Sequence, residues 1–210
     1  MRPVTSKRVP RAVREQQMLD AAVSVFGRQG FHAASMDDIA ELAGISKPMV
    51  YAYLGTKEDL FRACLHREAT RMVEAVVGAV GSSTRPDEQL WNGLRGFFSF
   101  VGERRDGWNM IYRQSRGLEP FASEWAEMRG RMIDIVSGLL ARAVESAGGP
   151  SGPEHLEPVT YALVGAAESM ADWLADRPGE DPGRTAARLM NFIWLGAEDL
   201  LHGAVWRPSS

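Results

Sequence analysis

The chain has 210 residues, enough for one large domain or for a small domain followed by a larger one. Hydrophobic residues make up 45% and charged residues 24%, the ordinary balance of a globular protein with a hydrophobic core, and the net charge is -3. No apolar run reaches the ~20 residues of a membrane-spanning helix, no apolar stretch follows the basic N-terminus as in a signal peptide, and the single cysteine, Cys64, excludes an internal disulfide framework. A cytoplasmic protein without a membrane partner is therefore expected.

The charge is unevenly distributed along the chain. Residues 1–62 carry 9 basic and 7 acidic side chains, whereas residues 63–210 carry 15 basic and 20 acidic ones. The first 14 residues contain five basic side chains and no acidic one: Arg2, Lys7, Arg8, Arg11 and Arg14. A basic arm of this kind often follows DNA phosphates, although a disordered tail has the same composition.

The N-terminal quarter predicts three helices and the start of a long fourth one. An apolar face formed by Met18, Ala22, Val25 and Phe26 predicts a first helix from about Arg11 to Arg28. The stretch "SMDD" at Ser35 is a capping-box pattern that opens a second helix, which ends at Gly44.

Ser46 is expected to cap the third helix, which ends at Gly55. A second capping box, "TKED" at Thr56, opens the fourth helix from Lys57 to about Val80.

Five further helices are predicted, so the fold is expected to be all-α with about nine helices. They cover about 87–102, 105–116, 120–146, 154–175 and 183–204. The last of these is apolar on more than one side, and a helix of that kind must be buried on most sides. A partner subunit is a natural way to bury it near the end of a chain of this size.

The second and third helices form a compact pair joined by a tight turn. Gly44 suits a left-handed backbone position, and Ala40 is small enough for two helices to cross closely. A small residue, a glycine and the β-branched Ile45 at this spacing are typical of a helix-turn-helix. Any tight helical hairpin also needs a glycine, so an unrelated hairpin is the alternative interpretation.

In a helix-turn-helix the third helix enters the major groove with its N-terminal residues, here Ser46, Lys47, Pro48 and Met49. Proline is harmless in the first turn, where its missing N–H has no helical partner, and its ring can contact thymine methyl groups. Lys47 can reach a guanine edge or a phosphate.

Flanking side chains are predicted to contact the DNA backbone. Tyr51 and Tyr53 point to different sides of the helix and can donate to phosphates on opposite walls of the groove, although either can instead pack in the core. Lys57 lies at the positive end of the fourth helix, where an anion is stabilised. Ser35 and Thr56 share such positions but are equally well explained as plain caps.

The stretch "SMDDIAELAGISKPMVYAYLGTKEDLF" closely resembles the N-terminal signature of TetR-family transcriptional regulators, over about 50 residues from the first helix onward. The matching residues are Ile39, Ala40, Ala43, Gly44, Ile45, Ser46, Tyr51, Tyr53, Lys57, Glu58 and Leu60. The rest of the chain is similar to the family only in architecture.

The resemblance implies an N-terminal helix-turn-helix DNA-binding domain with a basic arm, residues 1–56, and a C-terminal effector-binding and dimerisation domain, residues 57–210. A homodimer formed through the last two helices would read a near-palindromic double-stranded operator. A small apolar or amphipathic effector would displace the fourth helix and release the DNA. Repression is the usual outcome in the family, but the sequence does not determine the sign of regulation.

The resemblance also assigns roles to individual residues. It places Lys47, Pro48 and Met49 against base edges, and Ser35, Tyr51, Tyr53 and Lys57 against phosphates. Pro48 and Met49 replace the commoner small residues of the family, so a base preference cannot be transferred. Leu54 and Ala52 replace frequent aromatics, and the second change removes one possible backbone contact.

Aromatic and methionine side chains in the C-terminal part are candidates for an effector pocket because such side chains adapt to apolar ligands. They can equally be ordinary core residues. The candidates are Trp91, Trp108, Tyr112, Trp125 and Met128, with Arg113, Glu168 and Asp172 as polar groups.

Two other classes of function were weighed. Glu168 and Asp172 could form a catalytic carboxylate pair, but the four histidines are scattered without metal-ligand spacing, so no catalytic residue, metal or cofactor is predicted. The second alternative is a helical partner-binding protein without effector control, whose DNA-binding unit has lost its function. Salt-dependent binding of random duplex DNA would argue against it.

Overall fold

The computed structural model describes residues 10–83, 85–146 and 152–201, without the side chains of Pro153 and residues 195–201. Arg2, Lys7 and Arg8 of the predicted basic arm and the last part of the predicted 183–204 helix lie outside the described residues.

Nine α-helices and one π-helical turn make up the described part of the chain, and it contains no β-strand. The helices are α1 (Arg11–Gln29), α2 (Met36–Ala43), α3 (Lys47–Leu54), α4 (Lys57–Val80), α5 (Pro86–Glu103), α6 (Arg105–Trp108), α7 (Ala122–Ser146), α8 (Pro153–Ala175) and α9 (Pro182–Leu201), with the π-helical turn at Asn109–Gln114. The prediction of an all-α fold is confirmed. No helix among the described residues is both long and apolar enough to cross a membrane.

Local hydrogen bonds set the ends of α2 as the sequence predicted. The Ser35 hydroxyl accepts from the Asp38 amide at 3.0 Å, and the Asp38 carboxylate accepts from the Ser35 amide at 3.3 Å. Gly44 follows α2 with φ of 66°, a left-handed conformation that glycine adopts without a steric penalty. This turn lets α3 cross α2, with Ile39, Ala40 and Val50 buried between the first three helices.

The long helix α4 belongs to both parts of the molecule. Its second capping box is also present, since Thr56 and Asp59 exchange side-chain and backbone hydrogen bonds. Its N-terminal half buries Phe61 against Phe26 of α1 and Phe121, with ring centroids 5.0 and 4.4 Å apart. Its C-terminal half packs along α5. A displacement of α4 would therefore shift both the N-terminal helices and the C-terminal helices that pack against it.

The predicted helix at 105–116 is not a regular α-helix. Only the first turn, α6, is α-helical, and the following six residues form the π-helical turn. The Ser115 amide and hydroxyl both donate to the Met110 carbonyl five residues earlier, at 3.2 and 2.8 Å. Trp108 and Tyr112, four residues apart on this segment, stack with their ring centroids 4.9 Å apart. Such turns are frequent at functional sites.

Candidate DNA-binding surface and effector cavity

Helix α3 lies on the surface with one fully buried side chain, Val50. Ser46, Lys47 and Pro48 at its N-terminal end are exposed, and Tyr51 one turn later is 45% exposed. Ser46 occupies the N-cap position, but its hydroxyl makes no capping hydrogen bond, which corrects the expectation that it caps α3. An exposed helix whose first turn carries polar and small apolar groups has the shape that enters a major groove.

Lys47 is paired with Asp37, an exposed residue in the first turn of α2. The Nζ atom lies 2.8 Å from the Asp37 carboxylate, and this hydrogen bond raises the pKa of Lys47 above its ordinary value. Both side chains are open to water, so the pair is weak and exchanges easily. If Lys47 contacts DNA as the sequence predicts, Asp37 would compete for the same ammonium group.

Replacing Asp37 with asparagine is expected to raise affinity for a random-sequence duplex by ~2- to 5-fold, because it frees Lys47 and removes a charge that repels phosphates. The expected effect disappears when Lys47 is also changed to glutamine. Glu41→Gln, at another exposed position of α2, is the matched control. Fluorescence anisotropy at several salt concentrations measures the change. Equal effects of Asp37→Asn and Glu41→Gln would show that Asp37 acts only through its negative charge and not through its pairing with Lys47.

The flanking residues of α3 contact α1. Met49 is half-buried, and its sulfur lies 3.5 Å from a guanidinium nitrogen of Arg14. Tyr53 is half-buried beneath the guanidinium of Arg11, which lies 5.1 Å from the ring centroid. Exposed Tyr51 and half-buried Tyr53 therefore occupy different environments. Arg11 and Arg14, at the start of α1, bring basic groups to the same surface.

The remaining predicted contact residues lie at helix ends. Ser35 and Thr56 both serve as caps, through the hydrogen bonds described above. Lys57 is half-buried at the first position of α4, where its Nζ donates to the His32 carbonyl at 3.3 Å and lies 4.7 Å from the Phe31 ring centroid. Ser35 and Thr56 therefore act as helix caps, which is one of the two roles that the sequence allowed for them.

An apolar cavity of about 430 Å³ lies between α4, α5, the α6–π segment, α7, α8 and α9. This volume is within the range of small-molecule sites, which is roughly 300–1,000 Å³. Four aromatic and methionine side chains predicted as effector contacts line it: Trp108, Tyr112, Trp125 and Met128. Its wall continues through α4 at Met72 and Val76 and through α9 at Phe192 and Ile193.

The polar part of the cavity wall is an ion pair. Glu168 of α8 was predicted, and it lines the cavity, but its partner Arg129 of α7 was missed. The Arg129 Nε and Nη2 atoms donate to the two Glu168 carboxylate oxygens at 2.8 and 3.3 Å. Arg129 follows Trp125 by four residues on α7, and this helical spacing is the sequence signal that could have identified it.

Three other predicted effector contacts lie elsewhere. Arg113 and Asp172 do not line the cavity, since they pair with each other. Arg113 is exposed and also pairs with Asp176 of α8. Hydrogen bonds to Asp176 and Asp172 raise the pKa of Arg113. Trp91 packs on the core near Arg95 and is absent from the cavity wall. Helical spacing could not show which way these side chains point, because that depends on how α5, α8 and the π-helical turn pack in the folded chain.

A buried charge cluster that the sequence analysis missed lies beside α4. Glu68 is fully buried and accepts hydrogen bonds from Arg67, Arg71 and Arg104 at 3.1, 2.8 and 2.7 Å. Burial raises the pKa of Glu68, but the Arg104 hydrogen bond and the three guanidinium charges outweigh it and hold the pKa below its ordinary value. Sequence offers little signal for such a cluster, because Arg104 comes from α5–α6.

Helix α3 is exposed and follows a tight turn after α2, and α4 leads from this pair to the cavity. This is the architecture of a helix-turn-helix transcription regulator. The family model described as bacterial regulatory proteins, tetR family, matches residues 18–64, and that of the tetracyclin repressor-like C-terminal domain matches residues 86–196. The chain belongs to the TetR family of DNA-binding transcriptional regulators, and its homologues are regulators rather than enzymes.

Similar proteins cover most of the chain. The HTH-type transcriptional activator FasR of Mycolicibacterium smegmatis is 36% identical over 193 residues, which is 90% of this chain and 85% of FasR. The structure of a TetR-like transcriptional regulator from Rhodococcus sp. RHA1 has 43% identity and a TM-score of 0.78, covering 91% of this chain and 99% of that one. FadR from Bacillus subtilis, solved in complex with stearoyl-CoA, shares the fold at 18% identity and a TM-score of 0.74, covering 85% of this chain and 96% of FadR.

Proposed function

We propose that this protein binds a near-palindromic operator as a homodimer and that a small apolar or amphipathic effector releases it from the DNA. The observation that carries the proposal is the position of α4. Its first residue, Lys57, lies beside the recognition unit, whereas Met72 and Val76 of the same helix line the cavity. Occupancy of the cavity can thus move the unit that binds DNA.

The proposed DNA contacts follow from exposure and charge on α3. Lys47, Pro48 and Met49 lie in its first turn and are proposed to face base edges. Ser35, Ser46, Tyr51, Tyr53, Thr56 and Lys57 are proposed to face the backbone. The proposed boundary between the DNA-binding and effector-binding domains falls between Thr56 and Lys57, at the start of α4.

The chemistry of the cavity supports an effector whose buried part is uncharged. Apart from Gln89, Tyr112 and the Arg129–Glu168 pair, its lining is aliphatic, aromatic or thioether in character. The pair is neutral as a unit, and a charged ligand that took one partner would leave the other partly buried without its counter-charge. The B. subtilis FadR complex with stearoyl-CoA gives a precedent for a long acyl chain in this fold.

Exposed aromatic side chains on α8 and α9 support dimerisation. Tyr161 is 47% exposed and Phe192 is 79% exposed. Large exposed apolar side chains on adjacent helices are typical of subunit interfaces. In a dimer the two α3 helices would meet half-sites ~34 Å apart, one turn of DNA. Whether release represses or activates then depends on where the operator lies, and the M. smegmatis relative is named as an activator.

The test begins with duplexes that the full-length protein selects from a random library, which are expected to be near-palindromic. Binding to a selected duplex is measured with stearoyl-CoA and, as control, with coenzyme A alone. We expect stearoyl-CoA to weaken binding by about 5- to 150-fold, the usual range of allosteric coupling, and coenzyme A to have no effect. Unchanged binding over a series of acyl-chain lengths would overturn the proposed effector class.

A further inference from the structure

Residues 104–108 link the last turn of α5 to the π-helical turn, and they touch four parts of the molecule. Arg104 reaches Glu68 of α4, and Asp106 reaches α1. Arg105 donates to the last carbonyls of α8, and Trp108 lines the cavity.

Contact with α1 is made by Asp106 and is unusually close. The Asp106 carboxylate accepts from the Ser24 hydroxyl at 3.1 Å and from Arg28 Nε at 3.0 Å. Gly27 lies directly against the Asp106 backbone, where a Cβ atom would overlap its carbonyl. Helix α1 packs against both α2 and α3. Because Gly27 leaves no gap between α1 and the Asp106 backbone, a shift of Asp106 would move α1 and with it the helix-turn-helix of α2 and α3.

Contact with α4 is made by Arg104 and Gly107. Arg104 donates to both Glu68 oxygens, at 2.7 and 3.0 Å. Gly107 is buried over the same carboxylate, and a Cβ atom there would lie 2.8 Å from it. Neighbouring Arg67 joins this cluster to Asp20 of α1 at 2.9 Å. Two glycines and a buried carboxylate therefore hold the segment tightly to both helices.

Contact with the cavity is made by Trp108, which is 2% exposed and stacks on Tyr112. Its ring also packs edge-on against Phe97 of α5, with centroids 5.5 Å apart. A ligand that enters the cavity meets this ring, and a displaced Trp108 would move the preceding three residues, which belong to the same helix α6.

We infer that residues 104–108 couple the cavity to the DNA-binding unit, with Asp106 as the positioning residue toward α1 and the Arg104–Glu68 pair as its anchor on α4. This inference rests on the proposed effector function, since it names the route by which the same cavity regulates DNA binding. Asp106 lies outside both the cavity wall and the helix-turn-helix, so its role can be tested separately from both binding events.

The first experiment needs neither effector nor operator. Hydrogen exchange is measured for peptides from the C-terminal half of α1 in the full-length chain. Trp108→Phe is expected to increase their exchange several-fold, and the increase should vanish in an Asp106→Asn background. Trp125→Phe, at a cavity residue on α7, is the matched control and should leave α1 unchanged. An equal response to the two tryptophan variants would overturn the inference.

The second experiment uses stearoyl-CoA and a selected operator duplex. Asp106→Asn is expected to keep both separate affinities within about 3-fold while reducing the effect of stearoyl-CoA on operator binding at least ~5-fold. Glu103→Gln, at an exposed position of α5, should respond like wild type. A wild-type response from Asp106→Asn would also overturn the inference. If wild-type protein does not respond to stearoyl-CoA, the proposed effector class fails, and the exchange experiment decides the inference alone.

Discussion

Changing Lys47 to methionine and Tyr51 to phenylalanine together is expected to weaken operator binding by at least about 100-fold while leaving the fold intact. Both side chains are exposed on one face of α3, one turn apart. Neither packs in the core, since Val50 is the residue of α3 that is fully buried. The loss should therefore reflect contacts with DNA and not unfolding.

The size of this effect follows from the number of contacts. A good base contact contributes ~1–3 kcal/mol, and a dimer would lose it twice, once in each half-site. The Lys47 substitution alone would then cost roughly 2–6 kcal/mol in the dimer complex, and each 1.4 kcal/mol is about tenfold in affinity. Loss of a cationic group should also flatten the salt dependence of binding.

The matched control is Arg131→Met with Thr70→Val, which removes one charge and one hydroxyl from exposed positions on α7 and α4. Anisotropy titrations against a selected duplex, with thermal unfolding of each variant, separate binding from stability. Near-wild-type operator affinity in the Lys47/Tyr51 variant would show that α3 does not read DNA through these residues.

Replacing Glu68 with alanine is expected to destabilise the protein by about 2–4 kcal/mol, because the partly buried guanidinium groups around it lose their shared counter-charge and hydrogen bonds. Arg104 loses the acid to which it donates two hydrogen bonds, whereas Arg67 and Arg71 keep Asp20 nearby. Since whole domains are stable by ~5–15 kcal/mol, this loss is a large share of the total. Urea unfolding of the full-length protein measures it.

Glu74→Ala, at an exposed position of the same helix, is the matched control and should change little. Changing Glu68 and Arg104 together to methionine should recover part of the loss, because a buried pair is often replaceable by apolar side chains. Equal stability of Glu68→Ala and Glu74→Ala would show that the charge cluster contributes nothing to folding.

The acid dependence of stability gives the same experiment a second readout. The folded-state pKa of Glu68 is lowered, so its contribution is present above the unfolded-state pKa, ~4.3, and is lost as the pH falls through the folded-state value. Wild-type protein should therefore lose stability below about pH 4.3 more steeply than the Glu68/Arg104 double-methionine variant.

Much of the fold was predictable because its signals are local. Capping boxes at Ser35 and Thr56 and the glycine after α2 act within a few residues, so the starts of α2 and α4 and the turn to α3 were predicted correctly. The spacing of apolar side chains likewise predicted the long helices. The helix-turn-helix resemblance was confirmed because its motif is itself a local pattern of this kind.

The effector cavity was predictable only in part. Trp108, Tyr112, Trp125 and Met128 share the aromatic or methionine character that suggested a pocket, and they line it. Trp91 has the same character but packs against the core outside the cavity wall. The prediction failed there because composition does not show which way a half-buried ring points.

The sequence by itself determined the long helices, the two capping boxes and the family, because these depend on interactions within about one turn or on a contiguous motif. Only the tertiary structure decided which charges pair. Arg129 meets Glu168 across 39 residues, Arg104 meets Glu68 across 36, and Arg113 meets Asp172 across 59. Those pairs depend on how distant helices pack, and Arg113 additionally lies in the π-helical turn. The neutral cavity wall and the proposed link from Trp108 to α1 exist because of that packing.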